Sequence, residues 1–362
     1  MRASSLCLVL GLLGVGASFA AETPGAYKLE TGPYAVGEID RVVLTGAGEV
    51  KPDSDSGEYD TPLLIRYPKL KPAVDGAKPV EPARFPVVIF SHGAGGSRDA
   101  FPDLSKHWAS HGYVVIHPTH GDSIKRRHDG GEDIRELMRD PQQVVKGVNL
   151  RGRHTEVRHI LENFKTIERR IAEDSDAGSA PLLDPDRVVI AGHSAGAMTA
   201  QALGGMKFYI NPRARARSME EKRIKAAIII SGQGTTRRTI TAKSWEDVHI
   251  PWLVIAGSED YSPVSSETPQ SRRHPFEFAP PGDKYLVYID GATHSSYSGK
   301  RLGFTDDKGE LKADIKYIQS IVASSTTAFL DAYMNKNTDA RAFLTSDALT
   351  KFPGGKVEYQ YK

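Results

Sequence analysis

Cysteine is all but absent from this chain: Cys7 is the single one among 362 residues. A disulfide-stapled scaffold is thereby excluded. A surplus of one charge is also missing, since 47 Lys+Arg against 45 Asp+Glu leave a net +2. A nucleic-acid binder normally carries a basic excess, so no nucleic-acid partner is expected. Disorder would need fewer apolar residues than the 39% present and a larger net charge. No Gly-Lys-Ser/Thr phosphate loop and no G-x-G-x-x-G fingerprint occurs, which argues against nucleotide chemistry. The one long apolar run, residues 6–15, is well short of the roughly 20 needed to span a bilayer.

That run has a different reading. Arg2 precedes it, and Ala17-Ser18-Phe19-Ala20 follows with small residues at the third-last and last places. A positive start, a short apolar stretch and such a small-residue end describe a secretory signal peptide covering residues 1–20. Its removal takes away Arg2, lowering the charge from +2 to +1. Cys7 goes with it, so the mature chain has no thiol nucleophile. The protein is expected to be exported, to periplasm or medium, with no stable membrane anchor afterwards.

Residues 21–37 form a polar lead-in. Beyond them, Val-, Ile- and Leu-rich runs recur at 41–44, 63–67, 87–90, 113–116, 188–191, 226–230, 252–256 and 285–289. Several lack alternation, as strands covered on both faces do. Between them Val157, Ile160, Leu161, Phe164, Ile167 and Ile171 recur at helical spacing, and 315–333 is a second amphipathic stretch. Strands alternating with helices predict an α/β fold: a mostly parallel, doubly wound sheet with helices on both faces. Residues 38–362 are expected to form a single domain with insertions near 121–150 and 209–223, as solvated segments or as a cap over a cleft. Residues 53–60 imitate a calcium loop but lack its bidentate glutamate, so a polar turn is expected.

The chemistry concentrates in a few places. In Gly192-His193-Ser194-Ala195-Gly196 a strand turns sharply into a small-residue helix. Such an elbow lifts a serine hydroxyl above the sheet, and its glycines let strand and helix approach. Ser91-His92-Gly93-Ala94-Gly95-Gly96 follows another strand and can turn backbone amides toward a ligand. Acyl transfer needs two such donors for the developing oxyanion; Ala94 and Ala195 are the candidates, with Gly93 as fallback for the first. A nucleophilic Ser194 needs a base and an orienting acid. Asp260 ends one strand and is preferred to Glu259; His294 follows the next and is preferred to His274. The order Ser, Asp, His along the chain is that of an α/β-hydrolase. His117, His120 and Asp122 lie close in sequence but match no zinc spacing, so no metal or other cofactor is expected. His92 and His193 are expected to orient neighbouring loops.

These residues resemble the α/β-hydrolase superfamily, and more narrowly the platelet-activating-factor-acetylhydrolase-like and dienelactone-hydrolase-like secreted hydrolases. Gly112-Tyr113-Val114-Val115-Ile116-His117-Pro118, Ser231-Gly232-Gln233-Gly234, Gly257-Ser258-Glu259-Asp260 and Gly291-Ala292-Thr293-His294 carry the likeness beside the two glycine motifs. The final helix, with Thr326-Thr327-Ala328-Phe329-Leu330, fits too. The resemblance covers residues 43–344 and implies carboxylic ester hydrolysis through an acyl-enzyme, without a cofactor, on a small-molecule or lipid-like ester. Dienelactone hydrolases proper use a cysteine, so their substrate does not carry over. An amidase, a peptidase or a polyester hydrolase would use the same triad. A binding module built on a dead fold would break the triad, and no member is missing.

Overall fold

A computed structural model describes residues 25–52, 60–70, 84–175, 180–211, 215–262, 264–299 and 314–362. The signal segment at 1–20, residues 53–59 of the calcium-like stretch and residues 212–214 of the second insertion lie outside them.

The strands are β1 (Ala35–Leu44), β2 (Val50–Pro52), β3 (Thr61–Lys69), β4 (Arg84–Ser91), β5 (Val114–Pro118) and β6 (Leu182–His193). They continue as β7 (Lys207–Phe208), β8 (Arg217–Ser218), β9 (Ile224–Ile230), β10 (Trp252–Glu259), β11 (Lys284–Thr293) and β12 (Val357–Tyr361). Ten of them make one sheet in the order β12-β11-β10-β9-β6-β4-β5-β3-β1-β2, and β7 and β8 pair separately. From β5 to β11 every neighbouring pair is parallel. Both flanks are antiparallel, β3 on β5 and β12 on β11. The fold is α/β, with the mostly parallel sheet expected.

The helices are α1 (Pro102–Ser110), α2 (Ile124–Asp129), α3 (Ile134–Arg139), α4 (Pro141–Lys146), α5 (Leu150–Glu162), α6 (Phe164–Asp174) and α7 (Ala195–Leu203). After them come α8 (His274–Glu277), α9 (Ile315–Met334) and α10 (Thr338–Leu344). Alternate strand residues feed opposite cores. Val87, Ile89, Val188 and Ile190 pack with Val157, Ile160, Ile167 and Ile171 of α5 and α6. Val88, Phe90, Val189 and Ile255 pack with Trp108 of α1 and with Ile318, Ile321 and Phe329 of α9. Each such fully buried side chain contributes about 1.5–3 kcal/mol relative to exposure. The apolar period running from 157 to 171 is carried by two helices. Asn163 ends α5 and starts α6, and its amide donates to the carbonyl of His159 at 2.8 Å.

The first insertion forms α2, α3 and α4 beside the C-terminal ends of the parallel strands, the customary site edge of such sheets. Of the second insertion, β8 pairs back onto β7, which lies just before it, and neither strand borders a cavity beside Ser194.

Candidate active site

Ser194 stands at the turn between β6 and α7, with φ +57 and ψ −118. A non-glycine residue holds positive φ only where its surroundings enforce it, and here they do. The Ser194 amide donates to the Ile230 carbonyl at 3.1 Å. A Cβ on Gly192 would lie 2.2 Å from the Gly196 carbonyl oxygen, and one on Gly196 would lie 1.9 Å from that of Ser91. The two glycines thus let the elbow close against β4.

The ends of β10 and β11 bring up the partners. His294 Nε2 lies 3.0 Å from Ser194 Oγ, and its Nδ1 lies 3.0 Å from Oδ1 of the wholly buried Asp260. The Asp260 carboxylate also accepts from Ser231 Oγ at 2.8 Å and from the Tyr297 hydroxyl at 2.9 Å. Burial alone would raise this carboxyl. Arg272, its Nε 3.4 Å from Oδ1, together with the bonds from His294 and Ser231, outweighs burial and holds it below its ordinary value. Asp260 therefore stays an anion and can orient an imidazole whose Nδ1 carries the proton.

His193 donates from Nε2 to the His294 carbonyl at 2.7 Å and packs ring on ring with it at 4.8 Å. Burial, then the nearby His294, depresses its pKa to about 3, so it is a neutral prop for the turn. His92 is likewise buried and held well below the ordinary histidine value, by desolvation first and then by His120 and Arg153. It donates from Nδ1 to the Gly93 carbonyl at 2.7 Å and accepts at Nε2 from the His120 amide at 3.0 Å.

The loop after β4 passes close over the elbow: a Cβ on Gly93 would lie 3.5 Å from that of Ser194. Ala94 and Ala195 both border the space at Ser194, and among the described residues neither amide is taken by a backbone acceptor. Two cavities meet here. The larger, about 550 Å³, is bordered by His294, Gly93, Phe101 and, from the first insertion, Ile124, Leu137 and Val144. The smaller, about 50 Å³, is bordered by Ala94, Ala195, Met198, Gln233 and Arg237.

The alternatives lie elsewhere. His274 Nδ1 meets the Thr235 amide and hydroxyl, at 3.1 and 3.0 Å. Glu259, in register with Thr293, precedes the buried turn residue. His120 meets Ser91 and Glu156, and Asp122 meets Arg153, while among the described residues no three His, Cys, Asp or Glu side chains form a metal-holding group. Ser231, Tyr297 and Arg272 escape sequence reasoning. Ser231 sits in the quoted Ser231-Gly232-Gln233-Gly234 run, which was the available signal; Arg272 hides in an Arg-rich loop.

A family model described as platelet-activating factor acetylhydrolase, isoform II, matches residues 68–339, a span holding Ser194, Asp260 and His294. No curated protein matches the chain.

Proposed function

The chain belongs to the platelet-activating factor acetylhydrolase isoform II family and is a hydrolase acting on ester bonds; on that premise we propose that Ser194, His294 and Asp260 form its catalytic triad. The observation that carries this reading is the unbroken path at the cleft floor, Ser194 Oγ to His294 Nε2 at 3.0 Å and His294 Nδ1 to Asp260 at 3.0 Å. Ser194 attacks the ester carbonyl as His294 takes its proton at Nε2. The amides of Ala94 and Ala195 receive the oxyanion, and His294 returns the proton to the departing alcohol oxygen. Water, activated by the same imidazole, then releases the acid.

The leaving oxygen must come within reach of His294, which borders the larger cleft and not the smaller one. The alcohol portion therefore occupies the 550 Å³ cleft, whose apolar wall suits a lipid-like alcohol, and the acyl group occupies the 50 Å³ pocket. A space of that size favours a short acyl chain.

We further propose that residues 1–20 are cleaved on export, to periplasm or medium, and that one hydrolase domain follows; it takes in part of the expected lead-in, since β1 begins at Ala35 and Tyr27 and Lys28 bond to Asp331 of α9. Purified Ser194→Ala should lose both hydrolysis of a short p-nitrophenyl ester and labelling by a fluorophosphonate. Retention of full activity overturns the assignment.

A further inference from the structure

Beneath the loop that supplies Ala94 lies a fully buried ion pair. Arg153, on α5, grips Asp122 with two parallel bonds, Nε to Oδ2 and Nη2 to Oδ1, each 2.7 Å. Both side chains are almost wholly removed from solvent, at 0% and 2% exposure. Burial pushes the Asp122 carboxyl up, but the bonds and charge of Arg153 more than offset this and hold it below its ordinary value. Such a pair is poor at adding stability, because desolvating two ions consumes most of their attraction. A structural purpose alone would be served as well by apolar packing.

The remaining donors of Arg153 show where it is aimed. Nη1 donates to the His92 carbonyl at 2.7 Å and Nη2 reaches the Gly93 carbonyl at 3.4 Å. The Gly93 oxygen is also held by His92 Nδ1 at 2.7 Å and by the Gly96 amide at 3.2 Å. In a planar trans peptide the N–H points opposite to the C=O that shares its plane. Fixing the Gly93 carbonyl therefore fixes the direction of the Ala94 N–H, and fixing the His92 carbonyl does the same for the Gly93 N–H. On the opposite side, Gly196 of the elbow packs against the Ser91 and His92 carbonyls. The loop is held between the serine's helix and one guanidinium.

We propose that Arg153, aligned by Asp122, is a positioning residue for the oxyanion hole, acting through the His92–Gly93 and Gly93–Ala94 peptides. The proposal rests on the Ser194 reading above. Asp122 adds a second connection: its Oδ2 accepts the Asn149 amide at 2.8 Å, so it joins both ends of the excursion made by α2, α3 and α4. The cap and the oxyanion donors are thus referred to the same buried carboxylate.

Two variants test this, each assayed well below its measured Tm beside the wild type and Ser194→Ala. Arg153→Lys keeps the charge but cannot serve Asp122 and both carbonyls together. Asp122→Asn leaves the Arg in place with weaker alignment. Removing one oxyanion donor costs ~100-fold or more in kcat, and misaiming one should cost about 10- to 100-fold. The expected result is that kcat falls in folded Arg153→Lys, less steeply in Asp122→Asn, with KM within about twofold. Affinity for a trifluoromethyl ketone that mimics the tetrahedral adduct should fall in proportion to kcat/KM. Folded variants with unchanged kcat and ketone affinity overturn the proposal, as does a loss confined to KM. An active Ser194→Ala would instead overturn the underlying triad reading, so the two failures are told apart.

Discussion

Arg272 holds its Nη2 3.4 Å from Nδ1 of His294. The same guanidinium donates through Nη1 to the Ser231 and Gly232 carbonyls, at 3.2 and 2.9 Å, and is buried. Around the imidazole stand Asp260, Ser231 and the neutral His193, with Tyr297 behind the carboxylate. Arg272 is the one cation among these named residues, and in the proposed triad it opposes the imidazolium that His294 becomes on taking the Ser194 proton. In Arg272→Gln, which keeps donors for the carbonyls, Asp260 loses the charge that does most to hold its carboxyl down, and kcat/KM should fall by about 10-fold. An unchanged kcat/KM counts against an electrostatic role for Arg272.

Two glycines of the site should respond differently to alanine. Gly196→Ala forces a Cβ to within 1.9 Å of the Ser91 carbonyl oxygen. Backbone must yield there, at a cost on the order of 3 kcal/mol or more. Gly93→Ala meets nothing closer than 3.5 Å, the Cβ of Ser194. It should fold nearly as well as wild type while crowding the serine. Denaturation midpoints together with kcat separate the two cases, and equal stability losses would contradict the packing argument.

Met198 borders the smaller pocket and is buried. Met198→Ala should lengthen the accepted acyl chain, at about 2 kcal/mol of stability. The kcat/KM ratio of hexanoyl to acetyl p-nitrophenyl esters should rise about tenfold, since each methylene a pocket accepts or refuses is worth roughly 1–3 kcal/mol. If the ratio stays flat, the acyl group lies in the other cavity.

Acid should unfold this protein from an unusually high pH. Burial depresses His117 and His193 to about 3 and His107 to about 4, each with a neighbouring positive or titrating group adding to the effect. The folded state then binds fewer protons than the unfolded chain once pH drops below about 6.5. Stability is unaffected above that value and falls as pH falls toward 4, by ~1.4 kcal/mol per unit for each histidine. His117 also has both ring nitrogens buried without partners, beside Phe90 at 5.2 Å. His117→Phe should raise stability at pH 7 by about 1–3 kcal/mol and flatten the acid slope by one histidine's share. Urea unfolding from pH 7 to 4 measures both, and an unchanged slope would place His117 outside the titration.

Much of this arrangement is legible along the chain because burial on both faces writes itself as uninterrupted Val, Ile and Leu. Every strand expected from such a run is present, often longer. β12 is the instructive omission: Val357-Glu358-Tyr359-Gln360-Tyr361 is an edge strand in which Val357 alone is buried, so no apolar run betrays it. The break at Asn163 is invisible for the converse reason, since the apolar period continues through it. Of the residues proposed for the triad, Ser194, Asp260 and His294 are legible because they follow strands in a fixed order, and the structure brings them within hydrogen-bond distance. Arg272 and Arg153 do not, because an arginine in a polar segment looks solvated until tertiary packing buries it. Arg153 meets Ser91 across 62 residues, a contact that no local pattern encodes.

The single carboxylate at which the excursion of α2, α3 and α4 begins and ends makes residues 125–148 an exchangeable part, with Ser123 and Ile124 left in place against Gly95. Asp122 and Asn149 already meet across the base of the excursion at 2.8 Å. Segments of other length and composition can be hung from the same two points without re-threading the sheet or the elbow. With the alcohol in the larger cleft, as proposed above, transplanting such a segment is a direct route to a new alcohol preference while the reacting atoms keep their places.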